Sequence, residues 1–146
     1  MEYELYTDGS HIKGTTRLGI GAVLVKNGVE LDRLSKLINQ TMFKIQYGID
    51  DNVSNPTMEL LALLVSLQEF KKHFKPGDRI LNIADYMGVG GWMTNKWKIN
   101  KNYIRIIKNN IDEEIETQKL ELSYAYVKSH SGNKFNELAD NLANPR

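Results

Sequence analysis

The sequence lacks the residues that stabilise small exported proteins or anchor membrane proteins. It contains no cysteine, which excludes disulfides and thiolate metal sites and is compatible with a reducing compartment. No apolar run reaches the roughly 18 residues that a membrane-spanning helix needs. The acidic start, Met1-Glu2-Tyr3-Glu4-Leu5, lacks the apolar core of a signal peptide. We therefore expect a cytoplasmic protein without a membrane partner.

The composition is that of an ordinary globular protein. The chain has 146 residues, of which 41% are hydrophobic and 25% are charged. This length fits one domain, residues 1–146, and is sufficient for a sizeable apolar core.

The charge is unevenly distributed along the chain. The net charge of +1 does not by itself indicate a nucleic-acid partner. Residues 86–111, however, contain five basic residues and no acidic one, and residues 112–116 then contain four acidic ones. This pattern is typical either of a helix with a solvated face or of a local phosphate-binding surface on a neutral protein.

The first third of the chain predicts an antiparallel β-meander. Polar and apolar residues alternate over residues 2–7, and residues 18–26 and 29–38 are rich in β-branched and other aliphatic residues. Asn27-Gly28 predicts a tight hairpin between the last two strands. Asp8-Gly9-Ser10 predicts a turn after the first strand.

The rest of the chain predicts helices that alternate with strands. Residues 39–54 are ambiguous and partly strand-like. We expect a helix from Pro56 to about Phe74 with Asn55 as its N-cap. A strand over 79–84 should follow and pair parallel with the first strand. Residues 86–92 then predict a short helix broken by glycines. A helix over 100–118, a strand over 119–127 and a last helix capped by Asn133 complete the chain. This order predicts an α/β fold with a mixed sheet flanked by helices.

Glu59 is the one carboxylate in the first turn of the apolar helix that follows Pro56. A carboxylate on an apolar face is costly unless it is paired, protonated or bound to a metal ion. The alternative is a solvated glutamate stabilised by the helix dipole.

Four carboxylates on separate elements form the candidate site: Asp8, Glu59, Asp85 and Asp140. Asp8 and Asp85 end two strands that we expect to be parallel neighbours, so both belong at one edge of the sheet. Taken singly, Asp8 is equally compatible with a turn former, Asp85 with a helix cap and Asp140 with a solvated helix residue. If the four converge, their mutual repulsion favours bound Mg²⁺ or Mn²⁺ over zinc, because all the ligands are oxygens. Two such ions about 3.5–4 Å apart can activate water at a phosphodiester.

Five blocks of the sequence, in order along almost the whole chain, carry a recognisable resemblance. They are Tyr6-Thr7-Asp8-Gly9-Ser10, Gly19-Ile20-Gly21-Ala22-Val23, Asn55-Pro56-Thr57-Met58-Glu59-Leu60, Ile83-Ala84-Asp85, and the segment from Val127 to Asp140. This set resembles type 1 ribonuclease H. Residues 86–103, with their two tryptophans, are similar to a bacterial and pararetrovirus-like branch of that family.

The resemblance implies a ribonuclease H-like fold, with a five-stranded mixed sheet in the order 3-2-1-4-5. It implies an endonuclease that cleaves the RNA strand of RNA–DNA hybrids with two Mg²⁺ ions, or Mn²⁺ in their place, and leaves 5′-phosphate and 3′-hydroxyl ends. Asp8, Glu59, Asp85 and Asp140 match the metal-binding acids, and Asp8 would bridge both ions. Glu59 would also meet a ribose 2′-hydroxyl, which distinguishes RNA from DNA. His130 matches a loop histidine that assists proton transfer or product release.

The resemblance also implies where the hybrid lies. Gly9, Ser10 and Asn55 would approach its minor groove. The side chains expected to face the backbone of the DNA strand are Trp92, Lys96, Trp97 and Lys98. For Trp92, packing in the core is an equal alternative.

Two departures from the family pattern bear on substrate contacts. Asp85 is followed by Tyr86 instead of a small polar residue, which affects the expected substrate contacts near Asp85 and not metal binding. The basic segment is short, which implies either weak affinity or dependence on a partner. The alternatives to a hybrid nuclease are a related nuclease acting on another nucleic acid and a degenerate hybrid-binding module. We expect a monomer, with a tether to a polymerase or reverse transcriptase as an alternative.

Overall fold

The computed structural model describes residues 1–12 and 14–145, and within these ranges the chain forms one five-stranded sheet flanked by helices. The strands are β1 (Glu2–His11), β2 (Arg17–Lys26), β3 (Val29–Asn39), β4 (Arg79–Ala84) and β5 (Glu121–Tyr126). The helices are α1 (Gln40–Tyr47), α2 (Asn55–Glu69), α3 (Met87–Met93), α4 (Asn102–Gln118) and α5 (Lys134–Ala143), with a 3₁₀ turn at Lys71–His73. The strand order is β3-β2-β1-β4-β5, which confirms the predicted order.

The sheet is mixed, as predicted. β1, β2 and β3 pair antiparallel, and Asn27 (φ 52°) and Gly28 (φ 77°) form the hairpin between β2 and β3 in the left-handed conformation that such turns require. β4 pairs parallel with both β1 and β5. The central strand β1 is therefore flanked by an antiparallel and a parallel neighbour, and the carboxyl ends of β1 and β4 lie at the same edge.

Helices cover both faces of the sheet. α2 packs against β1 and β2, with α4 on its other side, while α5 covers the opposite face at β1 and β2. Every residue of α2 from Thr57 to Leu67 is buried, which makes this helix the centre of the apolar core. Within the described ranges no helix combines the length and apolar character that crossing a membrane would require.

The start of α2 differs from the prediction. Its N-cap is Ser54, whose side-chain oxygen accepts a hydrogen bond from Thr57 N at 3.3 Å, so the assignment of this role to Asn55 was wrong. Asn55 is instead the first helical residue, and its Oδ1 accepts a hydrogen bond from His11 N at 3.1 Å. The helix ends at Glu69 rather than near Phe74, because the chain tightens there into the 3₁₀ turn.

The ambiguous segment before α2 contains a helix, and the expectation of a partial strand was wrong. Asn39 ends β3 and caps α1 by accepting a hydrogen bond from Met42 N at 3.1 Å. Gly48 ends the helix with a φ of 64°. Only Phe43 of α1 is buried, so the two caps, more than the apolar pattern, define this short helix.

The predicted turn at Asp8-Gly9-Ser10 is also wrong, because β1 continues through it to His11. Gly9 pairs with Ile20 on β2 as a regular strand residue. A Cβ atom at Gly9 would lie 2.2 Å from the carbonyl oxygen of Met58, so glycine is required here by the close approach of α2 and not by a turn. Similarly, the glycines of α3 do not break the helix, which is continuous from Met87 to Met93.

Candidate active site

Asp8 lies in the middle of the sheet and not at a strand end. It pairs with Gly21 on β2, and its neighbour Thr7 pairs with Ala84 on β4. Gly21 lies directly beneath α5, because a Cβ atom there would be 2.1 Å from the carbonyl oxygen of Ala139. Cross-strand partners point to the same face of a sheet, so Asp8 faces α5. Only 4% of its surface is exposed.

Glu59 reaches the same place from the other side of the sheet. It lies in the first turns of α2 and is 6% exposed, so the alternative of a solvated glutamate is wrong. The N–H of Gly9 donates to Glu59 Oε1 at 3.1 Å and to Asp8 Oδ1 at 3.0 Å, and thereby holds the two carboxylates side by side. The other oxygen, Glu59 Oε2, is buried and has no hydrogen-bond partner among residues 1–12 and 14–145.

Asp85 completes a group of three carboxylates. It directly follows β4, next to the pair formed by Thr7 and Ala84, which places it beside Asp8 as the parallel pairing predicted. One oxygen each from Asp8, Glu59 and Asp85 lie within 4.8 Å of one another. We call these three residues the carboxylate cluster.

The burial of the cluster changes its titration. Burial raises the pKa of Asp8 to about 7, and the charges of Asp85 and Asp140 act in the same direction. Burial also raises the pKa of Glu59 well above its usual value, and the contact with Asp8 adds to the rise. The pKa of Asp85 is raised by burial and by Asp140, while Ser129 and His130 oppose the rise. The cluster therefore retains protons near neutral pH unless a cation compensates its charge.

The donor set fits a hard divalent cation. All the donors are carboxylate oxygens, which Mg²⁺ and Mn²⁺ prefer, and Glu59 Oε2 is a buried acceptor that a cation would satisfy.

Asp140 stands beside the cluster. It lies half-buried on α5, and its charge raises the pKa of both Asp8 and Asp85. Asn144 Nδ2 donates to Asp140 Oδ1 at 3.2 Å and to the Asp140 carbonyl oxygen at 2.8 Å. The hydroxyl of Ser10 lies 2.7 Å from Asn144 Oδ1, which links the predicted minor-groove residue to the fourth acid. We did not predict Asn144, although its position four residues after Asp140 on a helix is the available signal.

His130 is exposed in the loop between β5 and α5. It adopts a positive φ of 57°, and a positive charge on its ring would lower the pKa of Asp85.

The predicted DNA-facing residues lie on α3 and in the loop after it. Lys96 and Lys98 are exposed, and Trp97 is 41% exposed. Trp92 is half-buried and packs both against the core and against Trp97, with ring centroids 6.1 Å apart. Trp92 therefore packs in part in the core, and its role towards the DNA strand stays a prediction. We call Trp92, Lys96, Trp97 and Lys98 the basic aromatic surface.

The fold and the cluster together define a class of protein. A mixed α/β sheet holds, next to its central strand, three carboxylates that could hold a metal ion, and oxygen-only metal centres of this kind hydrolyse phosphate esters. A family model described as RNase H matches residues 1–146. The Ribonuclease H of Francisella tularensis subsp. novicida (strain U112) is 35% identical over 148 residues, which cover 95% of this chain and 86% of that protein. The Ribonuclease H of Francisella philomiragia subsp. philomiragia is 34% identical with the same coverage. The chain belongs to the ribonuclease H family.

Solved structures show the same fold. RNase H1 from the halophilic archaeon Halobacterium salinarum NRC-1 has a TM-score of 0.76 at 22% identity, over 98% of this chain and 95% of that one. LC11-RNase H1 in complex with an RNA/DNA hybrid has a TM-score of 0.76 at 16% identity, over 97% and 96% of the two chains. The predicted family and fold are confirmed, whereas the bacterial and pararetrovirus-like branch stays a prediction. The chain is thus an enzyme of the ribonuclease H type, and its acidic cluster is consistent with a metal-dependent nuclease.

Proposed function

We propose that this chain hydrolyses the RNA strand of RNA–DNA hybrids with two divalent cations and leaves 5′-phosphate and 3′-hydroxyl ends. The observation that carries the proposal is the carboxylate cluster, in which acids from β1, α2 and the end of β4 meet within 4.8 Å. Membership of the ribonuclease H family supports the class of reaction. The LC11 enzyme, which shares the fold and was solved with an RNA/DNA hybrid, supports the substrate.

Asp8, Glu59, Asp85 and Asp140 would hold the ions, which we expect to be Mg²⁺ with Mn²⁺ as an alternative. Bound divalent cations lower the pKa of water and neutralise charge on the reacting phosphate. Asp8 would be the central ligand, because Gly9 N–H holds it beside Glu59 and one oxygen of each of these two acids lies within 4.8 Å of an oxygen of Asp85.

The products define which bonds change. Water adds to the phosphorus, the bond between phosphorus and O3′ breaks, and the departing O3′ takes up a proton. We expect His130, which is exposed in the loop before α5, to move that proton or to assist product release.

The surroundings of the cluster support a polynucleotide substrate. Glu59 would recognise a ribose 2′-hydroxyl, and Gly9, Ser10 and Asn55 would approach the minor groove. Gly9 bonds to Glu59, Ser10 bonds to Asn144 and Asn55 bonds to His11 of β1. On the other side, Trp92, Lys96 and Lys98 would face the backbone of the DNA strand. We further expect a cytoplasmic monomer, with a polymerase tether as the alternative.

The proposal is tested with one end-labelled RNA strand in three forms: hybridised to DNA, paired with RNA, and single-stranded. Each form is incubated with Mg²⁺, with Mn²⁺ and with chelator, and the products are resolved on a gel beside a ladder with known end groups. We expect cleavage that requires metal, is confined to the hybrid and leaves 5′-phosphates.

Two other outcomes would replace the proposal. Cleavage of an all-DNA duplex or of a DNA junction would identify a related nuclease with another substrate. Binding of the hybrid without cleavage of any form would identify a degenerate binding module.

A further inference from the structure

Tyr86 occupies a position between the two halves of the site. It directly follows Asp85 and is the N-cap residue of α3, which carries the predicted DNA-facing residues. Its side chain is half-buried. The residue therefore adjoins the carboxylate cluster on one side and the basic aromatic surface on the other.

The ring of Tyr86 packs into a cluster of three aromatic side chains. The centroids of Tyr86 and Trp92 are 5.8 Å apart, and those of Tyr86 and Trp97 are 5.9 Å apart with the planes at 87°. Trp92 and Trp97 also meet edge to face at 6.1 Å. Because every ring contacts both others in favourable geometry, the position of each depends on the other two.

Two of the three glycines of α3, Gly88 and Gly91, leave room for these rings. A Cβ atom at Gly88 would lie 2.2 Å from Cε2 of Tyr86 and 2.8 Å from Cζ3 of Trp97. A Cβ atom at Gly91 would lie 2.6 Å from Cδ1 of Trp97. Any larger residue would displace the rings, so the glycine-rich sequence of this helix is explained by the aromatic packing and not by a helix break.

The aromatic packing fixes the loop that presents the lysines. Trp97 N donates a hydrogen bond to the carbonyl oxygen of Gly91 at 2.9 Å, and the indole ring of Trp97 packs against the glycine face of α3. Lys96 and Lys98 flank Trp97 in sequence, and both are exposed. The positions of Lys96 and Lys98 therefore depend on the packing of Trp97, and Tyr86 forms part of the surface against which Trp97 packs.

We propose that Tyr86 is a positioning residue that holds Lys96 and Lys98 at a fixed distance from the carboxylate cluster. At that distance the lysines meet the sugar-phosphate backbone of the uncleaved strand while the strand to be cleaved lies at the acids. This inference rests on the proposed function, and it assigns a role to the residue at which the chain departs from the family pattern. At physiological salt, screening limits the attraction between lysines and phosphates to short distances. A displaced loop would therefore lose these contacts.

The test is a double-mutant cycle between Tyr86 and the two lysines. Binding of a labelled RNA–DNA hybrid is followed by fluorescence anisotropy in chelator, and kcat and KM for its cleavage are measured with Mg²⁺. The variants are Tyr86→Ser, the Lys96→Ala/Lys98→Ala pair, and all three changes together. Tyr86→Phe, which keeps the ring, is the conservative control.

We expect Tyr86→Ser to raise Kd and KM by about tenfold while kcat changes by less than about threefold. The slope of log Kd against log salt should fall towards that of the lysine variant. Adding the lysine changes to Tyr86→Ser should weaken binding little further, because Tyr86 acts through the lysines. Tyr86→Phe, which keeps the ring, should have the Kd, KM and kcat of the unchanged chain.

Gly91→Ala and Gly90→Ala provide a second, matched pair on the same helix. A Cβ atom at Gly91 strikes the Trp97 ring, whereas one at Gly90 meets only Tyr124, at 3.1 Å. We expect Gly91→Ala to reproduce the binding loss of Tyr86→Ser and Gly90→Ala to have little effect on binding. Melting temperatures identify any variant that fails to fold, and the other variant then carries the test.

Two results would overturn the inference while leaving the proposed function intact. One is a loss of binding in Tyr86→Ser that adds fully to that of the lysine variant. The other is a fall in kcat with unchanged Kd and salt dependence. If the unchanged chain neither binds nor cleaves the hybrid, the proposed function fails first and this inference fails with it.

Discussion

The carboxylate cluster and the basic aromatic surface are separated along the chain only by residues 86–91, yet they are built in contrasting ways. The cluster is assembled from three elements that are distant in sequence, and its acids are held by the sheet, by α2 and by the shared N–H of Gly9. The basic aromatic surface comes from one short helix and its following loop, and its lysines are exposed.

The difference corresponds to two kinds of task. Hydrolysis at a phosphate requires ligand oxygens placed to within about 0.5 Å, which only rigid, buried elements provide. Attraction of a polynucleotide backbone requires positive charge nearby and tolerates movement of long side chains. The predictions below, from the largest expected effect to the smallest, test whether the tasks divide in this way.

Replacing the central acid should abolish chemistry and spare binding. We expect Asp8→Asn to lower kcat on an RNA–DNA hybrid by on the order of 1,000-fold, about 4 kcal/mol, because it removes a ligand charge from the cluster. The dissociation constant of the hybrid, measured in chelator, should change by less than about threefold. Asp50→Asn removes an exposed carboxylate from a loop and is the matched control. Full cleavage by Asp8→Asn would contradict the assignment.

The cluster should also depend on the close approach of β1 and α2. We expect Gly9→Ala to lower the free energy of unfolding by about 3 kcal/mol, since the new methyl group would overlap the Met58 carbonyl. Cleavage by the folded fraction should fall as well, because Gly9 N–H holds both Asp8 and Glu59. Urea unfolding measures the first effect. An unchanged midpoint would show that the helix and the strand can separate here at little cost.

The metal-free protein should become less stable as the pH rises from about 5 to 8. Asp8 has a folded-state pKa of about 7, above its unfolded value of 3.8, and the pKa of Glu59 is also raised. The folded state therefore binds more protons in this range, and its stability is complete below the unfolded pKa and declines as the pH passes through the folded one. We expect a loss of about 2 kcal/mol, read from urea unfolding in chelator.

The same pH series, repeated on a variant, identifies the side chain that causes the loss of stability. In Asp8→Asn the decline between pH 5 and 8 should be reduced, and near pH 8 the variant should be more stable than the unchanged chain. A decline of equal size in both proteins would place its origin elsewhere in the molecule.

The lysines of the basic aromatic surface should affect binding alone, and modestly. We expect Lys96→Ala/Lys98→Ala to raise KM by about tenfold, with kcat nearly unchanged and the salt slope of binding reduced by about 2. Lys71→Ala/Lys75→Ala removes the same charge at the opposite end of β4 and is the control. A fall in kcat in the first variant alone would show that the lysines belong to the chemistry.

The sequence was sufficient to predict most of the sheet and the acids. The strand patterns and Asn27-Gly28 predicted the meander, and the parallel pairing predicted that Asp8 and Asp85 would be neighbours. The burial of Glu59 could not be decided from its helix alone, because it depends on where β1 lies against α2.

The predictions that failed share a physical cause. Gly9 resembles a turn residue in sequence but is a strand residue that lies against a helix backbone. Asn55 resembles an N-cap but bonds to the strand instead, while Ser54 caps the helix. In α3 the glycines suggested a break, whereas they accommodate aromatic rings. Each of these residues is defined by a tertiary contact, which local pattern and propensity do not contain.

The most direct test of the metal-centre assignment is a calorimetric titration of Mg²⁺ into the metal-free protein at about pH 8, above the pKa of about 7 of Asp8. The titration is run on the unchanged chain and on Asp8→Asn. We predict saturable Mg²⁺ binding by the unchanged chain, accompanied by a rise in melting temperature, and the loss of both in Asp8→Asn. Equal heats and equal melting temperatures in the two proteins would contradict the assignment of the carboxylate cluster as the metal centre.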